Sequence, residues 1–250
     1  ARAQNPNENI SLNARRPMQS FGEMEISWGG GFAAYNALQT KLEKRFAGGL
    51  YLLNSFTWSK VLDNAAGHLE TANGDNSRMN YNDQKSEKGV GSYNQPFGNT
   101  TTLVYDLPYG KGRKFGAHAN GFLEAFLGGW RGTLINTMSS GLPVNLTYGP
   151  ATRYSVSGMP TYRPNVTGDP LAPEGQRNID TYFNLNNVVI PVDPTHPYPF
   201  GNAGRNLVRS YALYQADMGL HKEFRLWQES KKLEFRSEFF NLFNKTNFQA

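Results

Sequence analysis

The sequence contains no cysteine. That removes a disulfide framework, thiolate zinc, iron–sulfur clusters and a cysteine nucleophile together. Charge is scarce too: Asp, Glu, Lys and Arg make up 18% of the 250 residues, against ~25% in an ordinary soluble domain. No apolar run approaches the ~18 residues of a transmembrane helix. The most apolar stretch, Gly121 to Trp130, is short and contains Glu124. No charged-then-apolar leader follows Ala1, and a chain starting without Met is expected to be a piece of something longer.

Catalytic signatures are missing as well. There is no G-x-S-x-G, H-E-x-x-H or G-x-x-x-x-G-K-[ST]. Gly110-Lys111-Gly112 with Gly116 is one residue out of register for a phosphate cradle. His68, His118, His196 and His221 have no i,i+2 or i,i+4 partner of the kind metal sites use. Asp63-Asn64 and Asn73-Gly74-Asp75-Asn76-Ser77 offer oxygens, but not at calcium-loop spacing, and read as Asx turns. The expectation is a protein that is no enzyme and holds no cofactor or metal.

What is present is Gly (26), Pro (14), as many Asn as Gly, and 13% aromatics, at a mean hydropathy of −0.58. So many aromatics exclude disorder, and so much Gly and Asn excludes a helical protein. The net charge of +5 is spread along the chain. Its only dense clusters, Lys111-Gly112-Arg113-Lys114 and Lys231-Lys232, sit in turn-like segments. A nucleic-acid partner, which requires a basic stripe on one face, is not expected.

The dominant pattern has period two. Leu38, Thr40, Leu42, Lys44 and Phe46 alternate with Gln39, Lys41, Glu43 and Arg45, as side chains on opposite faces of a strand do. Gly48-Gly49 then marks a tight hairpin, and the chain returns through Leu50, Leu52, Phe56 and Trp58, interrupted at Asn54. Alternation recurs over Thr101–Leu107, Trp130–Met138 (weakened at Gly132 and Asn136), Tyr214–His221 and Leu233–Phe239, and more weakly over Met24, Ile26 and Trp28. This gives seven strands, with one helical turn around Phe122 to Leu127. Short connections alternate with long ones, 61–98 and 141–210. Such loops are foreign to a compact soluble domain but normal in a membrane β-barrel, with short periplasmic turns and long extracellular loops. Phe46, Trp58 and Trp130 lie near strand ends, where a barrel carries its aromatic girdle. Lys41, Glu43, Arg45, Asp217, Glu234, Arg236 and Glu238 would face its wet interior. The expected fold is all-β, an antiparallel transmembrane β-barrel, partial, with about seven strands of a larger barrel.

Several stretches resemble one family. Tyr35-Asn36-Ala37-Leu38-Gln39-Thr40-Lys41-Leu42-Glu43-Lys44-Arg45-Phe46 followed by Phe56-Thr57-Trp58-Ser59-Lys60 is similar to a recurring segment of TonB-dependent receptors, most of all the Oar-like branch abundant in Acidobacteria, which carries an N-terminal carboxypeptidase-regulatory-like domain. Asp106-Leu107-Pro108-Tyr109-Gly110, Gly128-Gly129-Trp130, Ser140-Gly141-Leu142-Pro143 and Phe200-Gly201-Asn202-Ala203-Gly204-Arg205-Asn206 agree in order and spacing. Phe235 to Phe248 is similar to the strand preceding the last one in these barrels. The resemblance covers about Arg15 to Phe248.

The resemblance implies that residues 1–250 are the C-terminal part of a barrel, roughly a third of the ~22 strands of outer-membrane transporters. Signal sequence, TonB box, plug and accessory domain would precede Ala1, and the last strand would follow Ala250. The intact protein would sit in the bacterial outer membrane and bind a scarce solute at its extracellular loops. It would release that solute inward when the TonB complex rearranges the plug, with no covalent chemistry. Its partners would be outer-membrane lipid, the plug of the same chain, TonB through the preceding parts, and an unidentified solute.

Two points stay open at this stage. The inner-face charges either contact ligand or plug, or form cross-strand ion pairs that hold register. The loop aromatics Tyr148, Tyr154, Tyr162, Tyr182, Phe183, Tyr198 and Phe200 either stack on a sugar or peptide or pack the loop over the barrel mouth. The rival folds and functions are a secreted β-sandwich that binds carbohydrate, and a non-transporting outer-membrane adhesin. In a sandwich Leu38, Leu42, Leu103 and Met218 would be buried against a second sheet.

Overall fold

The computed structural model describes residues 14, 18, 20, 30–64, 83–118, 120–151, 162–193, 195–196, 198–225 and 232–248. In chain order the strands are β1 (Ala33–Ala47), β2 (Leu50–Asp63), β3 (Gly89–Val90), β4 (Phe97–Asp106), β5 (Trp130–Ser139), β6 (Pro143–Val144), β7 (Asn165–Val166), β8 (Val188–Val189), β9 (Val208–Arg209), β10 (Leu213–Arg225) and β11 (Lys232–Phe239). The helix α1 (Gly121–Leu127) precedes β5. The six long strands are the six expected between Leu38 and Phe239. The weak strand at Met24–Trp28 lies outside the described residues, as do His68 and 73–77.

The long strands form a wall in sequential order, β1-β2-β4-β5-β10-β11, every pair antiparallel. The sheet is open, with β1 and β11 at its edges. Gly48 and Gly49 turn the first hairpin with φ of 63° and 80°, a combination that only residues tolerant of positive φ adopt. A Cβ on Gly49 would also sit 2.9 Å from the Asp106 carbonyl. This turn and the 107–129 link share one rim, and the two long loops share the other.

Register sorts the side chains by face. Leu52, Leu103, Leu134, Met218 and Phe239 are successive partners across the wall. On the other face Leu53, Thr102, Ile135 and Asp217 follow one another. Leu38 and Leu42 are exposed, Leu42 at 61%, with no second sheet of described residues against them. The apolar face is crossed by a polar level, Asn54, Thr101 and Asn136. There the Asn54 amide donates to Thr101 Oγ1 at 2.7 Å and Asn99 Oδ1 at 3.3 Å, which satisfies it away from water.

Two departures from strict alternation have local causes. A bulge between Lys44 and Ala47 shifts the register, and Phe46 stacks on Tyr51 at 5.7 Å. Phe46 therefore leaves the outward row where period two places it, because a bulge sets two residues against one. Beyond Phe239 the backbone turns through Asn241 and Asn244 at φ of 50° and 48°, so the ladder ends although the resemblance runs on to Phe248. Leu242 N–H still donates to the Ala216 carbonyl (2.7 Å), and the Asn247 amide brackets the backbone of Tyr214. Leu242 and Phe243 thereby cover part of the apolar face and close a groove of about 620 Å³ over Leu103, Leu134 and Met218.

Candidate functional site: the loop cap

The most buried side chains lie in the long loops, with Tyr162, Arg163, Val208, Asn94 and Pro199 fully enclosed. The first loop returns onto β2 through β3, with Leu62 opposite Val90 and Asp63 opposite Gly89. Asn94 Oδ1 accepts Val61 N–H at 2.8 Å, and Ser59 Oγ donates to the Gln95 carbonyl at 2.9 Å. The second loop folds on itself through the pairs β6–β9 and β7–β8.

Arginines join the two loops. The Arg163 guanidinium holds both Glu87 carboxylate oxygens (3.2 and 3.3 Å) and the Ser86 carbonyl (3.1 Å). Arg205 pairs with Asp63 at the end of β2. Arg209 donates to the carbonyls of Asn94 (2.8 Å) and Gly141 (3.2 Å). Burial pulls the pKa of Arg205 and of Arg209 below the usual guanidinium range.

The stretch Phe200–Asn206 is the centre of this cap. Gly201 lies where a Cβ would collide with the Pro164 backbone. The Asn202 side chain accepts from Val166 N–H at 2.7 Å and donates back to its carbonyl at 3.2 Å. Asn206, at φ 53°, donates to the Val90 carbonyl (2.7 Å). Asp63 and Asn64, considered as cation ligands, are occupied: Asp63 by Arg205, Asn64 by Phe32 N–H (2.7 Å) and the Gly30 carbonyl (3.0 Å).

The loop aromatics divide into two groups. Tyr162 is fully buried and packs edge-on against Phe200 at 5.6 Å. Tyr148 bridges to Tyr162 and gives its hydroxyl to the Pro199 carbonyl (2.8 Å). Tyr182 gives its hydroxyl to Arg209 (2.7 Å) and lies 4.2 Å from the Tyr211 ring. These three hold the cap together. Phe183 and Tyr198 are exposed, Tyr198 at 64%. Tyr154 lies outside the described residues. Burial pushes the Tyr148 phenol up to about 12. An acid whose folded pKa is raised stabilises the fold below its unfolded value of ~10 and loses that contribution as pH rises towards the folded value. Phenolate absorbance from Tyr148, compared with a Tyr148→Phe variant, is therefore expected only near pH 12, with the cap loosening between about pH 10 and 12.

The inner-face charges pair differently from the expectation. Glu43 binds Lys41 (3.1 Å) and Arg45 (2.8 Å), and Arg236 binds Glu234 (3.8 Å) and Glu238 (3.7 Å). These pairs run along single strands, because residues i and i+2 share a face. Cross-strand contacts come from His221 to Glu234 (3.4 Å), Lys232 to Glu223 (3.3 Å) and Arg131 to Asp106 (2.6 Å). Exposed pairs of this kind contribute little stability. Asp217 instead accepts Asn241 N–H (2.8 Å). Trp58 is 64% exposed at the loop end of β2, and Trp130 opens β5 at the opposite rim, 5.9 Å from Phe235.

No curated protein and no solved structure matches the chain. A family model described as outer membrane beta barrel domain matches residues 1–250. That match accounts for a wall whose apolar face, beyond the part under Leu242 and Phe243, has no second sheet of described residues against it, since lipid is the medium it meets. The chain belongs to the outer membrane β-barrel domain family, and its place is the bacterial outer membrane.

Proposed function

We propose that the chain is part of the barrel of a TonB-dependent receptor of the Oar-like kind, and that its capped loops receive a solute for energised uptake. The observation that carries this reading is the position of Phe200–Asn206. One of the stretches through which the sequence resembles such receptors is also the knot that ties two long loops into one body. In this reading Phe183 and Tyr198 are the first rings a ligand meets, since aromatic side chains line most small-molecule sites. The charges Lys41, Glu43, Arg45, Asp217, Glu234, Arg236 and Glu238 line the lumen beside the plug. The protein performs no covalent step.

The test uses the full-length parent in outer-membrane fractions. A gel band that shifts on boiling reports a closed barrel, and capture of a purified TonB periplasmic domain by that barrel reports the transporter. A heat-modifiable barrel that never captures TonB would make it a non-transporting outer-membrane protein. A soluble protein without a mobility shift would overturn the barrel itself.

A further inference from the structure

The 107–129 link does more than join two strands. Its helix α1 has seven residues, too few to persist alone, yet it is clamped from three sides. Asn120 Oδ1 caps it by accepting Leu123 N–H at 2.9 Å. Trp130 Nε1 donates to the Phe126 carbonyl at 2.8 Å. Lys222, 2% exposed, donates to the Gly128 carbonyl at 2.5 Å, where a cation favours a helix C-terminus. Trp130 and Lys222 are register partners on the apolar face of the wall, so α1 sits at the outward side of the short-link rim.

This clamped helix presents apolar side chains to the surroundings. Phe122 is 73% and Phe126 63% exposed, with their rings 4.9 Å apart, and Leu123 and Leu127 are exposed beside them. The same link carries a basic tip, Lys111, Arg113 and Lys114, all exposed, with Lys114 over the exposed Phe115 ring at 5.5 Å. Glu124, the single acidic residue of 107–129, accepts Lys111 N–H at 2.7 Å and so ties tip and helix into one unit. Of the basic groups, Arg113 reaches Asp106 at 3.5 Å.

Exposed aromatics next to exposed cations match an anionic lipid interface, where rings enter the acyl boundary and cations meet phosphates. We propose that 107–129 is an interfacial anchor. Phe122 and Phe126 insert into the periplasmic leaflet, while Lys111, Arg113 and Lys114 bind the headgroups of its anionic phospholipids. The anchor fixes the depth of this arc of wall in the membrane.

The absence of cysteine makes the test direct, because the chain adds no competing thiol. In the full-length parent, Phe126→Cys carries an environment-sensitive fluorophore, and Tyr198→Cys is the control on the opposite rim. The protein is reconstituted into phosphatidylethanolamine vesicles with or without phosphatidylglycerol, with heat-modifiable mobility as the folding check. The label at 126 is expected to shift to the blue and to be quenched several-fold more by lipid-borne nitroxide than by aqueous iodide, the reverse of the label at 198. Lys111→Gln with Arg113→Gln and Lys114→Gln is expected to abolish the deepening caused by phosphatidylglycerol. Equal iodide quenching at 126 and 198 overturns the proposal. So does protection at 126 that needs periplasmic protein and not lipid, and so does indifference to phosphatidylglycerol in the unsubstituted protein.

Discussion

Arg163→Met is expected to release the loop cap while leaving the wall intact. The guanidinium is fully buried and spans both oxygens of Glu87 and the Ser86 carbonyl. Removing one member of a buried ion pair costs about 3–5 kcal/mol. The loss falls on the contact between 83–96 and 162–209, and hydrogen exchange in the folded, membrane-inserted parent reads it there. Amides of those segments should exchange about two to four orders of magnitude faster, at 1.4 kcal/mol per decade, with β4 and β5 unchanged. Glu87→Leu added to Arg163→Met should recover part of the protection, because replacing both members of a buried ion pair with apolar groups costs less than removing one. Unchanged exchange in the single variant would show that the arginine does not hold the cap.

A second large effect separates the two faces of the wall. Leu103 lies between Leu52 and Leu134 on the apolar face, and its neighbour Thr102 lies between Leu53 and Ile135 on the other. Leu103→Arg should cost about 2–4 kcal/mol in a bilayer, the range for a cation at mid-depth of a barrel's lipid face. Thr102→Arg should cost much less, since it faces the lumen, where the cation stays in water. Denaturant titration of the full-length parent from liposomes measures both. A larger penalty at Thr102 than at Leu103 would turn the wall inside out.

The wall was legible because period two survives in every long strand, and the glycine pair at 48–49 fixes the first turn. Phe46 misled, since a bulge is invisible to a count of alternate residues. The cap was not legible in its details. β6 to β9 have two residues each, too few for any period. Arg163 reads as one more dispersed cation among Pro and Asn, because Glu87 is 76 positions away. Phe200–Asn206 stood out only through resemblance, and Gly201, Asn202 and Asn206 acquire a physical reason once Pro164, Val166 and Val90 are beside them. The link 107–129 showed its helix, its basic tip and its apolar stretch separately. Glu124, which joins them, read only as a blemish in an apolar run.

The unequal heights of the strands have a mechanical consequence. β1 and β2 have 15 and 14 residues, β4 and β5 have 10 each, and ~9–11 suffice to cross a bilayer. The first hairpin therefore rises above the membrane, and its upper end, Ser59 to Asp63, is where the cap is fastened. A tug on the cell surface at these loops is delivered along the hairpin's length. Hydrogen bonds in an antiparallel ladder lie across that direction, so they share the load in shear instead of parting one at a time. The cap can be pulled hard without unzipping the wall that carries it.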